Sequence, residues 1–375
     1  MKIPYVDLSR QYKEERKKII KVIDEVLLKG NYVGGDQVDL FEKRIAEFCN
    51  TKYCVALNSG TDALVLALHA LGVRRGDEVI TPPNSFVAST AVIVHLGAKP
   101  VFADVKPDQS IDPDEIEKKI TKKTKVIMPV HLTGRMCEMD KILKIAKKHN
   151  LKIVEDAAQS IGSMYRGKKS GSYGDIGCFS AHPLKNLNAI GDSGYLTTNS
   201  KKIYDYIKIL RSHGMANRNV VKNFGYVSRM DNLQAAVLNY RLNNLNNLIS
   251  KRRKNAKLYF KYLNKKNILL PNESVHEFNT YHTFVIQVSK RDKLKEYLLK
   301  NGINTAIHYP IPIHLQPAAK RFGHKKGDFK NTESQAKSIL TLPINQFLKE
   351  KEIKFISQKV NNFFNEKRHS NKDIF

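Results

Sequence analysis

The sequence predicts an α/β protein in which a mainly parallel β-sheet is covered by helices and followed by a smaller α+β domain. Two observations predict this fold class. Short β-rich runs alternate with helical runs over residues 53–200, and the pattern changes after a helical stretch that ends near residue 264. Such alternation is typical of parallel sheets, which bind ligands at the carboxyl ends of their strands. The 375 residues suffice for two domains, which we place at 1–245, including an N-terminal helical segment, and at 246–375.

Hydrophobic spacing sets the order of the elements. A first helix is predicted over residues 10–28, and the glycines of GNYVGG (30–35) separate it from a second helix over 38–49. The alternating part then runs through strand 53–57, helix 61–71, strand 77–83, helix 87–96, strand 100–105, helix 112–120, strand 125–134, helix 139–150, strand 151–158 and two short strands around 177–183 and 194–200.

The later part of the chain has a different pattern. One long helix is predicted from about residue 231 to 264, with Arg and Lys crowding its second half. The runs HTFVIQVS (282–289), RDKLKEYLLKNGI (291–303) and HYPIPIHLQP (308–317) then indicate the smaller α+β domain. No internal repeat is evident.

Positive charge is the outlying feature of the composition. The chain has 64 Lys and Arg against 36 Asp and Glu, a formal net charge of +28. This balance raises nucleic acid, anionic membranes and phosphorylated substrates as partners. The basic runs, among them KKITKKTK and SKRRKNAK, are spread along predicted helix faces, which favours a solvated surface. No nucleic-acid-binding signature accompanies them, so nucleic acid is not the favoured partner.

The cysteines and the apolar runs indicate a cytoplasmic location. The four cysteines form no CxxC pair, and they do not cluster with histidines at ligand spacing, which favours free thiols and argues against a metal site. The N-terminus has no apolar core of the kind that a secretory signal needs. The longest apolar runs are too short to cross a bilayer, so no membrane association is expected.

Three stretches carry candidate chemistry. In NSGTDALVLAL (58–68), Gly60 lets the chain turn before a helix whose first amides suit a phosphate, although helix capping explains the residues slightly better. In VEDAAQS (154–160), Asp156 ends a buried strand and Gln159 follows three residues later; a helix cap and a functional acid are equally good interpretations.

The third stretch is FSAHPLKNLNAIGDSG (179–194), in which Lys185 lies in a long connection between two strands. A lysine at strand ends can form a Schiff base with a carbonyl, which requires a lowered pKa or a cofactor aldehyde. A solvated lysine is the better interpretation for most lysines of this chain. The spacing from Ser180 to Lys185 favours chemistry only together with the other two stretches.

Together these motifs resemble a known family. NSGTDAL, PPNSFVAST, VEDAAQSIG, FSAHPLKNLNAIGDSG and SRMDNLQAA occur in the order found in DegT/StrS-type sugar aminotransferases. These are pyridoxal 5'-phosphate (PLP) enzymes of the aspartate-aminotransferase fold, fold type I. The resemblance covers nearly the whole chain and implies a homodimer with shared active sites.

The resemblance also implies roles for single residues. Lys185 would form the Schiff base with PLP and move the proton, and Asp156 would pair with the pyridine nitrogen. The remaining cofactor contacts would come from Gln159 to the ring hydroxyl, Phe86 to the ring face, and Gly60, Thr61 and Ser180 to the phosphate. Many family members have an asparagine where this chain has Val227, and the neighbouring Ser228 is a candidate replacement.

Transamination of a nucleotide-linked keto sugar is the reaction that the resemblance implies. L-glutamate would supply the amino group, 2-oxoglutarate would leave, and the cofactor would pass through its pyridoxamine 5'-phosphate form. KNLNAIGDSG and HYPIPIHLQP resemble the group acting on 3-keto sugars, linked to dTDP or UDP, in deoxyamino sugar or surface glycan biosynthesis such as that of lipopolysaccharide O-antigen. Substrate contacts would come from His308, Tyr309, Arg229 and His314.

Two alternatives remain at this point. The first is a catalytically silent, basic regulatory or nucleic-acid-binding protein on the same fold, for which the positive charge would be suited. The intact set of Lys185, Asp156, Gln159 and Ser180 argues against it. The second is an aminotransferase for a free amino acid or a non-nucleotide sugar.

Overall fold

The N-terminal segment consists of two helices outside the sheet. The structure is a computed structural model and describes residues 1–369. Helices α1 (Leu8–Lys29) and α2 (Asp36–Cys49) both end at a residue in the left-handed conformation, Gly30 and Asn50. Asp7 caps α1 by accepting from the amide of Arg10 at 3.0 Å. Both helices match the predicted positions within a few residues.

A seven-stranded sheet forms the centre of the molecule. The strands of this half of the chain are β1 (Tyr53–Leu57), β2 (Glu78–Thr81), β3 (Lys99–Phe102), β4 (Thr124–Ile127), β5 (Lys152–Asp156), β6 (Met164–Tyr165), β7 (Lys168–Lys169), β8 (Ile176–Ser180) and β9 (Gly194–Thr198). The order in the main sheet is β1-β9-β8-β5-β4-β2-β3. Only β9 runs against its neighbours β1 and β8 in this sheet, so the prediction of a mainly parallel sheet is confirmed.

Helices cover both faces of the sheet. They are α3 (Gly60–Ala70), α4 (Val87–His95), α5 (Pro113–Lys118), α6 (Met139–Lys148), α7 (Lys201–Leu210), α8 (Asn232–Leu242) and α9 (Leu245–Tyr262). Alternate residues of β1 enter different cores, because side chains alternate across a strand. Ala56 packs in the core that includes Phe41 and Leu238, whereas Val55 packs in the core that includes Leu66.

The prediction of one long helix over residues 231–264 is wrong in one respect, because the structure has two helices there, α8 and α9. The break lies at Asn243 and Asn244, between Leu242 and Leu245. Asparagine side chains compete with helical hydrogen bonds, which makes a pair of them a natural break. Arg44 of α2 stabilises the end of α8, donating to the carbonyl of Asn239 at 2.7 Å and to Oδ1 of Asn243 at 2.6 Å.

The C-terminal part contains a small antiparallel sheet with its own core. Two short strands, β10 (Met215–Asn217) and β11 (Val220–Val221), form a hairpin before α8. The later elements are β12 (Ile268–Leu269), β13 (Glu277–Phe278), β14 (Phe284–Val288), α10 (Arg291–Lys300), α11 (Lys330–Ser338), β15 (Ile339–Leu342) and α12 (Glu350–His369). Strands β12, β14 and β15 make the small sheet.

Helix α9 links the two parts, because its residues enter both cores. Ile249 packs with the core of the large sheet, whereas Ala256 and Tyr259 pack with the core of the small sheet. Ile3, from the other end of the chain, also lies in the small core. The domain boundary at residue 245 stays a prediction, and the last residues of the second domain, 370–375, lie outside the described residues. Within the described part of the chain, no helix has the length and apolar character needed to span a membrane.

Candidate active site

A cavity of about 430 Å³ opens at the carboxyl ends of the parallel strands. Ser59 and Gly60 follow β1, Asp156 ends β5 and Ser180 ends β8, so the topology brings together residues that are far apart in the sequence. The predicted site residues that line the cavity are Gly60, Thr61, Phe86, Asp156, Gln159, Ser180, Lys185, His308 and Tyr309. This is the position at which parallel sheets place their ligands.

Lys185 reaches the cavity from the connection between β8 and β9. Its backbone amide donates to the carbonyl of His182 at 2.8 Å, which fixes a turn just before the side chain enters the cavity. Burial lowers the pKa of the Lys185 ammonium, and the charge of Asp156 opposes this effect. A lysine with a lowered pKa has more of its amine in the nucleophilic, neutral form.

Asp156 is buried at the end of β5. Its Oδ2 accepts from the hydroxyl of Ser89 at 2.7 Å, and its Oδ1 accepts from the amide of Ala158 at 3.2 Å. Burial raises the pKa of the Asp156 carboxyl, while the hydrogen bond from Ser89 and the charge of Lys185 counteract the rise. Ser89 holds the carboxylate in place from α4, and the sequence motif gave no sign of this role.

The N-terminus of α3 combines helix capping with exposed amides. Ser59 caps the helix by accepting from the amide of Asp62 at 3.0 Å. The amides of Gly60 and Thr61 open the helix, so no carbonyl of α3 accepts from them. Gly60 lies so close to β8 that a Cβ there would be 2.7 Å from Cβ of Ser180. Helix capping by Ser59 and phosphate binding by the amides of Gly60 and Thr61 are therefore compatible with each other.

Aromatic and amide side chains form the other walls. Phe86 is 55% exposed and lies 5.9 Å from the ring of Tyr309. Oε1 of Gln159 accepts from the amide of Thr133 at 2.8 Å, which fixes the amide group and leaves its NH₂ as a donor. Burial raises the pKa of Tyr309 to about 12 and lowers that of His308 to about 4.

Three predicted site residues do not line the cavity. Ser228 is buried, and its hydroxyl donates to Oδ1 of Asn58 at 3.2 Å. His314 is buried against Phe329, and its Nε2 lies 3.1 Å from the carboxylate of Glu333. Arg229 is partly buried beside Ser228. Among the residues that the structure describes, no three His, Cys, Asp or Glu side chains come together to hold a metal ion.

Other cavity residues were missed at the level of sequence. Besides Ser89, they include Tyr5, Arg252 and His282. They come from the N-terminal segment, from α9 and from the loop before β14. No local motif marks them, because only the packing of α9 and the small sheet against the large sheet brings them to the cavity.

Comparison with known proteins identifies the family. The sequence profile of the DegT/DnrJ/EryC1/StrS aminotransferase family matches residues 13–361. The chain belongs to this family. The resemblance inferred from its motifs is thereby confirmed.

This aminotransferase is similar to its relatives over nearly its whole length. It is 39% identical over 366 residues to dTDP-3-amino-3,6-dideoxy-alpha-D-galactopyranose transaminase of Aneurinibacillus thermoaerophilus, covering 96% of this chain and 99% of that one. It is 38% identical over 368 residues to a pleiotropic regulatory protein of Geobacillus stearothermophilus, covering 97% and 99%. Among solved structures, S. venezuelae DesV in complex with a ketimine intermediate matches with a TM-score of 0.94 at 36% identity, over 96% of this chain and 98% of that one.

The aminotransferase uses pyridoxal phosphate, in agreement with the prediction. Members of its family have been solved in PLP and pyridoxamine phosphate forms. The cavity fits this cofactor: it combines a lysine, a buried carboxylate and the open N-terminus of a helix. Gly194 is needed there as well, because a Cβ at this position would lie 2.2 Å from the backbone of Ser59. The enzyme prediction is therefore confirmed.

Proposed function

We propose that this aminotransferase moves an amino group from L-glutamate to a nucleotide-linked keto sugar, with the 3-keto position as the site of amination. The observation that carries the proposal is the placement of Lys185 and Asp156 in one cavity beside the open N-terminus of α3. Support for the substrate class comes from relatives whose names specify dTDP- and UDP-linked sugars. Such an enzyme serves deoxyamino sugar biosynthesis, and we propose a surface glycan as the end product.

Pyridoxal phosphate, when bound, carries the amino group and stabilises negative charge at the reacting carbon. In our proposal Lys185 holds the cofactor through its amine and moves the proton at that carbon. Because burial lowers the pKa of Lys185, a larger fraction of its amine is neutral at neutral pH, and thus able to accept a proton, than in a solvated lysine. Asp156 is the residue that would hold a proton on the ring nitrogen, and Ser89 orients its carboxylate.

The remaining cofactor contacts follow from the positions of the lining residues. Gly60, Thr61 and Ser180 are proposed to bind the phosphate through amides and a hydroxyl. Gln159 would donate its NH₂ to the ring hydroxyl, and Phe86 would cover a face of the ring. Ser228 stays a candidate for the phosphate of the neighbouring subunit; it is itself buried, and it lies between Val227, which is exposed, and Arg229, which is partly buried.

The substrate side of the cavity is proposed to lie at His308 and Tyr309. Both side chains line the cavity, and Nδ1 of His308 lies 3.0 Å from the hydroxyl of Thr341. The lowered pKa of His308 keeps its imidazole neutral at physiological pH. Arg229 is retained as a contact for an anionic nucleotide. His314 could contribute only through neighbours, since Glu333 and Phe329 surround it.

We also propose a homodimer in the cytoplasm. The exposed apolar side chains of Val220, Val221 and Phe224 at the β10–β11 hairpin support a dimer contact. The thiols of Cys49, Cys54, Cys137 and Cys178 are buried and free, as expected in a reducing compartment.

The test is the replacement of Lys185. Wild-type protein with PLP should change its absorption spectrum when L-glutamate is added, because the amino group moves to the cofactor. Lys185→Ala should lose this change and the formation of amino sugar from keto sugar nucleotides by at least about a thousandfold. Lys201→Ala, on the exposed surface of α7, is the matched control and should behave as wild type.

The acceptor is measured separately. A panel of 3-keto and 4-keto sugar nucleotides, together with a keto sugar that lacks the nucleotide, would be assayed by mass spectrometry. Preference for a 4-keto sugar would overturn the proposed position, and preference for the free sugar would overturn the substrate class. Full turnover by Lys185→Ala would overturn the proposal that Lys185 holds the cofactor and moves the proton.

A further inference from the structure

A buried arginine without a carboxylate partner lies in the wall of the cavity. Arg252, on α9, is 7% exposed. Its Nη1 donates to the carbonyls of Tyr281 and His282, both at 3.1 Å. Its Nε has no hydrogen-bond partner among the described residues. Burial lowers the pKa of Arg252 to about 10, with a small opposing effect of Tyr5 and none from a carboxylate of the described chain.

This arrangement is costly for the protein alone. Buried charges are normally paired, because a guanidinium removed from water loses hydration that two carbonyls replace only in part. The next residue shows the usual solution: Arg253 donates to Oε1 of Glu273 at 2.6 Å. An anion supplied by a ligand would satisfy Arg252 in the same way.

The surroundings of Arg252 specify the size of that anion. Arg252, Lys185 and Asn345 line both the main cavity and a small recess that continues from it. The recess has a volume of about 10 Å³, which suits one oxygen atom of a ligand whose remaining atoms lie in the main cavity, and it is too small to hold a whole diphosphate. Asn186 and Gln346 also line it, and their buried side-chain amides have atoms without hydrogen-bond partners within residues 1–369.

The charges of the other cavity residues show which cation can bind an anion. The two imidazoles of the cavity, His282 and His308, have lowered pKa values because of burial and the nearby cations, so they are neutral at physiological pH. Lys185 is used for the amine chemistry. Arg252 is therefore the cavity residue that keeps a positive charge and is available to bind an anion.

We propose that Arg252 binds a carboxylate of the amino donor and thereby selects an amino acid over other amines. The planar guanidinium matches a carboxylate with parallel hydrogen bonds, and Nδ2 of Asn186, which has no partner among the described residues, is a further donor at the recess. The inference deepens the proposed function and rests on it, since L-glutamate is the donor there. Lys185, which borders the same recess, lies on the side where the amine of the donor must react.

The primary experiment measures the binding of glutarate, an unreactive dicarboxylate, to the PLP-loaded enzyme by calorimetry. Arg252→Gln should weaken glutarate binding by about 10- to 100-fold, which corresponds to the loss of a charge-assisted hydrogen bond. Arg252→Lys keeps the positive charge but loses the parallel N–H donors of the guanidinium, and it should bind glutarate about 10-fold more weakly than wild type. Arg253→Gln is the matched control on the same helix and should bind as wild type.

A second readout separates donor recognition from damage to the site. Arg252→Gln should raise the KM for L-glutamate by about the factor by which it weakens glutarate binding. The KM for the keto sugar, which reacts with the pyridoxamine form, should not change. The PLP content of each variant, measured by absorbance, shows whether the site is intact. If Arg252→Gln fails to fold, Arg252→Lys decides the question.

The outcomes distinguish this inference from the proposed function. Unchanged glutarate binding in Arg252→Gln or Arg252→Lys would overturn the inference, as would a wild-type enzyme that does not bind glutarate. Equal losses in both half-reactions would overturn it too. If wild type binds glutarate through Arg252 but does not react with L-glutamate, the carboxylate site stands and the proposed donor is wrong.

Discussion

At the scale of single residues, burial adjusts the charges of the cavity. It lowers the pKa of Lys185 and His308 and raises that of Asp156, so each group is shifted toward its neutral form. The hydrogen bond from Ser89 and the charge of Lys185 limit this effect at Asp156. The site can therefore hold an acid and an amine close together without fixing either in its fully charged state.

The lowered pKa of His308 predicts a loss of stability in acid. Its pKa falls from 6.5 to about 4 on folding, so between these values the unfolded chain binds more protons and stability decreases as the pH falls. From about pH 7 to about pH 4.5 this histidine should remove roughly 2 kcal/mol of unfolding free energy. Lys185 faces the ring and opposes its protonation, and Tyr5 and Tyr309 pack against it.

Urea denaturation of wild type and His308→Asn at both pH values measures this effect. The variant should lose about 2 kcal/mol less stability between the two pH values, because asparagine does not titrate. His282 and Asp156 are present in both proteins, so their contributions cancel in the comparison. An equal acid loss in the two proteins would show that His308 is not the titrating group.

The sequence predicts the local part of the site but not its distant part. Asp156, Gln159 and Lys185 lie in contiguous motifs at strand ends, which made them predictable once the motifs were taken together. Ser89 was missed although it lies in the motif of Phe86, because a serine in a helix does not reveal which carboxylate it contacts. Arg252 was missed because the carbonyls that accept from it belong to the loop before β14.

At the scale of elements, the β10–β11 hairpin carries apolar side chains into solvent. Phe224, just after the hairpin, is fully exposed at 100%, and Val220, Val221 and Val227 are also exposed. Exposed apolar groups that lie close together in this way indicate a protein contact surface. The hairpin is the segment that we assign to the proposed homodimer.

A charge at this hairpin should weaken the dimer. Phe224→Glu would place a carboxylate in the apolar contact, and the protein should elute and scatter light as a monomer at a concentration where wild type is a dimer. Val275→Glu is the control, because Val275 is 95% exposed in the loop before β13. The assignment fails if Phe224→Glu remains a dimer or if Val275→Glu dissociates to the same degree.

The elements themselves were predictable where hydrophobic spacing was regular. Most of the helices and strands predicted over residues 53–200 agree with the structure within a few residues, since each combines an apolar pattern with a clear break. The strand predicted over 125–134 is wrong at its end, because β4 stops at Ile127, and the short strands β6 and β7 were not predicted. The boundary between α8 and α9 was missed because apolar residues continue across it at Leu242 and Leu245. Asn243 between them accepts a hydrogen bond from Arg44, which lies far away in the sequence, and the side chain of Asn244 makes no capping hydrogen bond to α9.

At the scale of the whole molecule, the positive charge is distributed over the surface. A few lysines pair with acids three or four residues away, as Lys201 does with Asp205, but the 64 basic residues exceed the 36 acidic ones. Exposed pairs of this kind contribute little to stability. The excess instead creates a positive field that attracts anionic substrates.

This field predicts a salt dependence of catalysis. For a keto sugar nucleotide, kcat/KM should fall by about 3- to 10-fold when NaCl is raised from about 0.02 M to about 0.5 M, because the Debye length becomes short. A neutral keto sugar without the nucleotide serves as the control and should respond much less. The same decrease for both acceptors would mean that salt acts on the protein and not on the capture of the substrate.

The position of β9 has a consequence for synthesis of the chain in the cell. In the sheet, β1 pairs with β9 alone, with Tyr53 opposite Thr198 and Leu57 opposite Gly194. The first strand to leave the ribosome therefore waits for one of the last strands of its sheet before it gains a neighbour. A nascent chain that stalls before residue 194 presents β1 as an unpaired apolar edge, which is the kind of surface that chaperones bind.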